Sequence, residues 1–454
     1  MASVLSQLMV GLPGTEVPSY LRELAQRGLR SVCIYGENVE SEEQLREYVA
    51  NLRDVLGSEA IIAIDEEGGE VTRVDYRTGS KFAGNGFLGQ LGNLELTARD
   101  GRLIAQRLRS IGINLNLAPV ADVNLEPANP VIGIRSFGSD QARVAEHVAS
   151  FVQAHERAGV CTTLKHFPGH GNTRVDSHHD LPKVEGGLAE LVATQMEPFK
   201  AGIEAGASAV MLGHLDLGLS APSSMSSEVV NYLRQDLGFS GIIITDAIDM
   251  GALGPRVELP RNAIRSLLAG VDLVCLGPRT EVSELEEILE LANELGLNES
   301  KGLADSHSRL TVFQGNEFME VSEYADPVYP LSAFSFETQP PANVLRFRSK
   351  ANFAVGEVPW FEGVEAETIE DPSLLEARIS ELDGQTAVLF RTALSAQEVV
   401  VGLSDAARAR LLAVVPEPPS ENMPCQYLVT YGSAIPQSHI LLKFLSEGHN
   451  SDDD

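Results

Sequence analysis

The chain is poor in basic residues: 34 lysines and arginines stand against 64 aspartates and glutamates, a formal net charge of -30. A surface of that sign repels phosphate backbones and anionic lipid, which argues against nucleic acid and membrane as partners. Cysteine is scarce too, with four residues, Cys33, Cys161, Cys275 and Cys425, and no CxxC pair. Cys33 and Cys275 lie inside apolar runs and Cys161 directly precedes another. They read as small buried hydrophobes in a reducing compartment, not as a disulfide frame or zinc site. No window is apolar for the length of a membrane span, and residues 1–13 lack a basic region followed by a sustained apolar stretch. These absences lead to the expectation of a cytoplasmic protein.

What is present is an ordinary globular balance, 43% hydrophobic and 22% charged, over 454 residues. Short apolar runs at 7–11, 31–35, 60–65, 114–117, 162–165, 209–212, 241–245 and 273–276 alternate with amphipathic stretches. The latter, at 19–27, 42–56, 97–111, 141–158, 188–205, 228–237, 260–269 and 281–295, predict helices. Several end at a glycine (Gly28, Gly112, Gly159, Gly206, Gly238 and Gly270), which suits a left-handed cap. Eight strand–helix units predict an α/β fold, a closed (β/α)₈ TIM barrel. The competitor, an open doubly wound sheet, lacks a GxGxxG opening its first helix. Residues 298–329 read as polar and aperiodic, and Pro327, Pro330, Pro340 and Pro341 mark a linker. The expected division is a barrel over 1–315, a linker over 316–342, a small C-terminal α/β domain over 343–446 and an acidic disordered tail over 447–454. The second domain's expected pieces are strands at 386–390, 411–415, 426–431 and 439–444 and a helix near 404–410; nothing in it looks catalytic.

Reactive groups in such a barrel belong at the C-terminal ends of strands. Asp65 closes the third strand and opens the run Asp65–Arg73, whose Gly68-Gly69 turn suggests close backbone approach to a ligand. Asp122 and Arg135 follow the fourth strand, Lys165 and His166 close the fifth, His214 follows the sixth and Asp246 the seventh. The segment 165–180 is far longer than an ordinary strand-to-helix loop and holds four of the chain's 10 histidines. Zinc ligation by its histidines with Asp176 or Asp180 is one chemistry for it. Pro168, Gly169 and Gly171 count against this, because they break any helix that could align ligands. The other is acid/base work by Asp176 and His178, two residues apart, the carboxylate fixing the imidazole tautomer.

Lys165–Gly171 with Asp176-Ser177-His178 resembles the signature of family 3 glycoside hydrolases, in the bacterial β-N-acetylglucosaminidase branch. Further matches over about the first 300 residues are Val10–Gly14, Gly36-Glu37-Asn38, Asp65–Arg73, Asn116–Asp122, Arg135-Ser136-Phe137 and Ile244–Met250. The resemblance implies Asp246 as nucleophile and Asp176 with His178 as the acid/base dyad. It also implies Asp65, Arg73, Arg135, Lys165 and His166 as the grip on the sugar, with His214 and Met250 lining that subsite. Asp249, the neighbour that competes with Asp246, is expected to be structural or helix-capping. Asn172 and Glu37 depart from the commonest family pattern and bear on leaving-group preference. The implied activity is a retaining exo-β-N-acetylglucosaminidase acting on peptidoglycan-derived or chitin-derived oligosaccharides, as in peptidoglycan recycling, with no cofactor and a small carbohydrate as partner. Alternatives are a phosphorylase using the same dyad, a β-glucosidase of the family, a metal-dependent hydrolase using His166, His170, His178 and Asp180, and a non-catalytic sugar-binding protein.

Overall fold

A computed structural model describes residues 3–177, 180–314, 326–327, 329, 341–348, 358–361, 363–391, 393–416, 419, 423–430, 434, 436–438 and 441. Eight strands, β1 (Leu8–Gly11), β2 (Ser31–Ile34), β3 (Ile61–Ile64), β4 (Leu115–Asn116), β5 (Cys161–Phe167), β6 (Ala209–Leu212), β7 (Ile242–Thr245) and β8 (Val274–Cys275), follow one another in a parallel sheet. β1 pairs with β8, and a bridge between Ile244 and Leu273 brings β7 against the start of β8, which closes the barrel. All eight expected runs are strands, within a few residues at either end.

Strand geometry alternates side chains between two faces, and the barrel uses both. Met9, Cys33, Ile61, Ala63, Leu115, Cys161, Met211, Ile244 and Cys275 fill the interior. Their neighbours Leu8, Val10, Val32, Ile34, Ile62, Ile64, Val210, Ile243 and Val274 meet the surrounding helices. Those helices include Glu42–Leu56, Leu94–Ile111, Gln141–Arg157, Leu259–Ala269 and Val282–Glu294. The six glycines expected at helix ends all have positive φ. The stretch expected as one helix over 188–205 is two, Gly187–Thr194 and Met196–Glu204. The break falls at Gln195, whose buried amide exchanges two hydrogen bonds with the backbone of Val123 (2.7 and 2.9 Å).

The segment expected to be aperiodic contains a helix, Lys301–Gln314. Its buried face is Leu303, Ser306 and Leu310, too sparse in apolar residues to register as a period. Leu310 enters the barrel's interior cluster from the N-terminal end of the strands. Ser306 (2.8 Å) and Arg309 (2.6 Å) are held by the fully buried Asp272, which also takes the Ile243 amide (2.8 Å). The helix stoppers the barrel floor.

A second parallel sheet has five strands, β9 (Asn343–Phe347), β10 (Glu367–Ile369), β11 (Thr386–Leu389), β12 (Leu411–Val415) and β13 (Gln426–Val429), in the order β10-β9-β11-β12-β13. Helices Pro372–Glu381, Ala393–Gly402 and Asp405–Arg410 accompany it. Of the strand expected at 439–444 only Leu441 is described, and it is helical; most of the linker and the acidic tail lie outside the described residues. Among the described residues no helix is long and apolar enough to cross a membrane.

Candidate active site

The inward row of β3 runs Ile61, Ala63, Asp65; that of β5 runs Cys161, Thr163, Lys165; that of β7 runs Ile242, Ile244, Asp246. The same parity that fills the core therefore carries a charged group to the mouth from three alternate strands. They line an open cavity of about 820 Å³, together with Glu67, Arg73, Arg135, His166, His170, Ser177, Asp249 and Met250. Its floor comes from Tyr35, Leu117, Met211 and Cys275, one from each of β2, β4, β6 and β8 or the residue following.

One wall is a lattice of buried ion pairs. Lys165 donates to Asp65 (2.7 Å) and to Glu67 (2.6 Å), and Arg135 grips Glu67 with two bonds (3.0 and 2.7 Å). Arg73 lies 3.7 Å from the other oxygen of Asp65. Burial works against the charge on Glu67, but Arg135 and Lys165 outweigh it and hold the carboxyl well below its usual range. Burial likewise opposes the charge on Lys165, yet Asp65 and Glu67 raise its pKa. A preformed array of this kind presents oriented donors and acceptors to a polar ligand without rearrangement. Sequence reading gave Glu67 no role; only its position two residues after Asp65 hinted at one.

His166 reaches the cavity beside Lys165, although successive strand residues normally face opposite ways. The register of β5 against β6 shifts between Leu164 and Phe167, and that irregularity turns both residues to the mouth. Behind them Asp122, fully buried, accepts from His166 Nδ1 (2.8 Å) and from the His170 amide (2.7 Å). Burial disfavours its charge, but His166 and His170 leave its pKa lowered. His170 turns its own Nδ1 to Thr173 Oγ1 (2.7 Å), and burial lowers its pKa to about 4. Asp122 is thus a positioning residue that the sequence reading placed in the loop and did not count in the site.

The loop after β3 folds around Glu66, whose carboxylate accepts from Thr72 Oγ1 (2.7 Å) and from the amides of Arg73 (2.9 Å) and Val74 (3.0 Å). The Gly68-Gly69 turn closely approaches another stretch of backbone. A Cβ on Gly69 would lie 2.9 Å from the Cα of Gly84, and φ is positive at both turn glycines.

Asp246 accepts from the amide of Ala247 (2.8 Å) and faces the cavity from β7. Met250 lines the cavity. His214 does not: it is fully buried, its Nδ1 against Ser224 Oγ (2.7 Å) and its Nε2 against the carbonyl of Ala247 (3.0 Å). A histidine two residues past a strand end can face either the mouth or the adjoining loop, and here it props the backbone next to Asp246. Asp249 is not a helix cap; it lines the cavity, 3.5 Å from Arg256, and burial raises its pKa to about 6. Glu37 pairs with Arg279 (2.7 Å) at the surface.

On the long β5 loop, the carbonyl of Ser177 accepts from the amide of Ala252 (3.1 Å), which ties that loop to the one following Asp246. Asp176 is half-buried just before it. His178 and His179 lie outside the described residues. Among the described residues no group of three or more His, Cys, Asp or Glu side chains is arranged to hold a metal ion.

Residues 11–312 match the N-terminal domain of glycosyl hydrolase family 3. The chain belongs to this family. It is 32% identical over 333 residues to beta-hexosaminidase A of Pseudoalteromonas piscicida, covering 65% of this chain and 55% of that one. It is 34% identical over 278 residues to a beta-hexosaminidase of Stenotrophomonas maltophilia, covering 59% and 82% respectively. A solved fungal multi-domain family 3 β-N-acetylglucosaminidase superposes with a TM-score of 0.82 at 26% identity, over 98% of this chain and 59% of that one. This family 3 chain thus spans little more than half the length of the first and third of these relatives.

Proposed function

We propose that the chain is an exo-acting, retaining β-N-acetylglucosaminidase that removes terminal β-linked N-acetylglucosamine from peptidoglycan-derived or chitin-derived oligosaccharides. Asp246 attacks the anomeric carbon and forms a covalent glycosyl-enzyme. His178, oriented by Asp176, protonates the departing oxygen and then activates the water that releases the sugar. Asp65, Arg73, Arg135, Lys165 and His166 hold the sugar hydroxyls, with Glu67 as the counter-ion shared by Arg135 and Lys165. The observation that carries this reading is the convergence of Asp65, Lys165 and Asp246 on one cavity whose rim is bonded, through Ser177 and Ala252, to the loop bearing the dyad. The names of the hexosaminidase relatives support the N-acetyl sugar over plain glucose.

Retaining enzymes usually place two carboxyl groups about 5–5.5 Å apart; here an imidazole takes the second place. The test is to trap the intermediate with a slow fluorinated N-acetylglucosaminyl donor and map the labelled peptide. Label on Asp246, together with a β-configured first product, supports the proposal. Label elsewhere, an inverted product, or faster turnover of aryl glucoside than of aryl N-acetylglucosaminide rejects it.

A further inference from the structure

The second sheet and the segment leading to it reach the wall of the cavity from behind. Ala83 is one point of contact. Its N–H donates to the hydroxyl of Tyr329 (3.0 Å), and its carbonyl accepts from Nε2 of Gln437 (2.8 Å). Both polar groups of one barrel-loop residue are therefore held by side chains from beyond residue 314. Tyr329 is itself fixed: its hydroxyl donates to Asp100 (2.6 Å), its ring meets Phe87 edge-on at 5.7 Å, and the Arg99 guanidinium lies 4.8 Å from the ring centre.

From Ala83 a short chain of contacts leads to the ion-pair wall. Phe82 accepts from the amide of Gly69 (2.9 Å), and Gly84 packs backbone to backbone against Gly69, where no side chain would fit. Asn85 donates to the carbonyl of Arg135 (2.8 Å). Gly68 and Gly69 directly follow Glu67, so the 82–85 segment braces both partners of the Glu67–Arg135 pair. A second arm arrives at Val71, a cavity-lining residue, against which Val358 packs with Tyr76. The carbonyl of Val358 is held by Arg391 (3.0 Å), at the end of β11.

We infer that the C-terminal region is a positioning element of the sugar site, clamping the 66–85 excursion through Tyr329, Gln437 and Val358 so that Glu67 and Arg135 stay in register with Lys165. None of these three side chains lines the cavity; they act through the loop. The kinetic part of this inference rests on the function proposed above, whereas its structural part does not.

The test uses the full chain carrying Y329F with Q437A, and separately V358A. Leu375→Ala, in the core of the second sheet's domain and away from the clamp, is the control for general destabilisation. Amide hydrogen exchange is read on peptides covering 66–73 and 133–138, and KM and kcat are read on an aryl N-acetylglucosaminide. Exchange of these two peptides should rise about tenfold in the clamp variants and not in the control, and KM should rise about five- to tenfold with a smaller change in kcat. Unchanged protection in both peptides overturns the inference whatever the activity. Raised exchange with KM within twofold of wild type overturns the claim that the clamp serves the sugar site. If the wild-type chain is inert toward the glycoside while the exchange result holds, the proposed function falls and the clamp stands.

Discussion

The carboxylate of Glu67 and the ammonium of Lys165 are 2.6 Å apart, and each side chain is only 2% exposed. Neither could keep its charge there alone, because moving a single ion out of water costs far more than a fold can offset.

Replacing Glu67 with alanine removes the ion-pair partner of Arg135 and leaves Lys165 with Asp65 alone, and we expect a loss of about 3–5 kcal/mol, the range for breaking a buried pair from one side. Urea denaturation of the barrel measures it. The pH dependence has a definite sign. A carboxyl whose folded pKa lies below its ordinary value of 4.5 stabilises fully above that value and loses its contribution as pH falls beneath it. The stability gap between wild type and Glu67→Gln should be flat from neutral pH to about 4.5 and shrink below.

Two histidines on the buried face of the helix Gln141–Arg157 predict acid sensitivity. Burial lowers the pKa of His155 to about 3 and that of His147 to about 4, from an unfolded value of 6.5. Below pH 6.5 the unfolded chain binds these protons and the folded one does not. Stability should therefore fall by about 1.4 kcal/mol per pH unit for each, from about 6.5 toward 4. Urea midpoints at pH 7, 5.5 and 4.5 read this slope, and His155→Gln should reduce it by about one proton's worth. An unchanged slope would assign the acid response to other groups.

Loss of a proton donor matters least when the leaving group needs no proton. His178→Ala should keep much of its activity on an activated aryl glycoside and lose on the order of 10²–10⁴-fold on a natural disaccharide. Equal losses on the two substrates exclude His178 as the donor.

His214 Nε2 lies 3.0 Å from the carbonyl of Ala247, the residue that follows Asp246. We expect His214→Ala to lower kcat about 10- to 100-fold with KM nearly unchanged, since a slight displacement of the attacking group affects the reaction more than sugar binding. A rise in KM alone would return His214 to the sugar-contacting set.

The barrel was legible because eight apolar runs recur between helix-length segments, and the charged tips because Asp65, Lys165 and Asp246 continue those runs. Glu67 was not legible as a hub. In sequence it is one acid among several in Asp65–Arg73, and only the fold brings Arg135 and Lys165 to it from two other loops. The helix Lys301–Gln314 escaped because its buried face has only two apolar residues, Leu303 and Leu310, with Ser306 between them satisfied by Asp272. The reach of Tyr329 and Gln437 to Ala83 spans hundreds of residues and leaves no local pattern to read.

The rows ending at Asp65, Lys165 and Asp246 also set what evolution could alter here. Insert or delete one amino acid within such a strand and the acid or ammonium swings outward toward the helices, while a greasy neighbour turns into the pore. Lengthening is harmless only after the tip, in the loops, so new specificities can be grafted above the rim while the parity beneath it stays frozen.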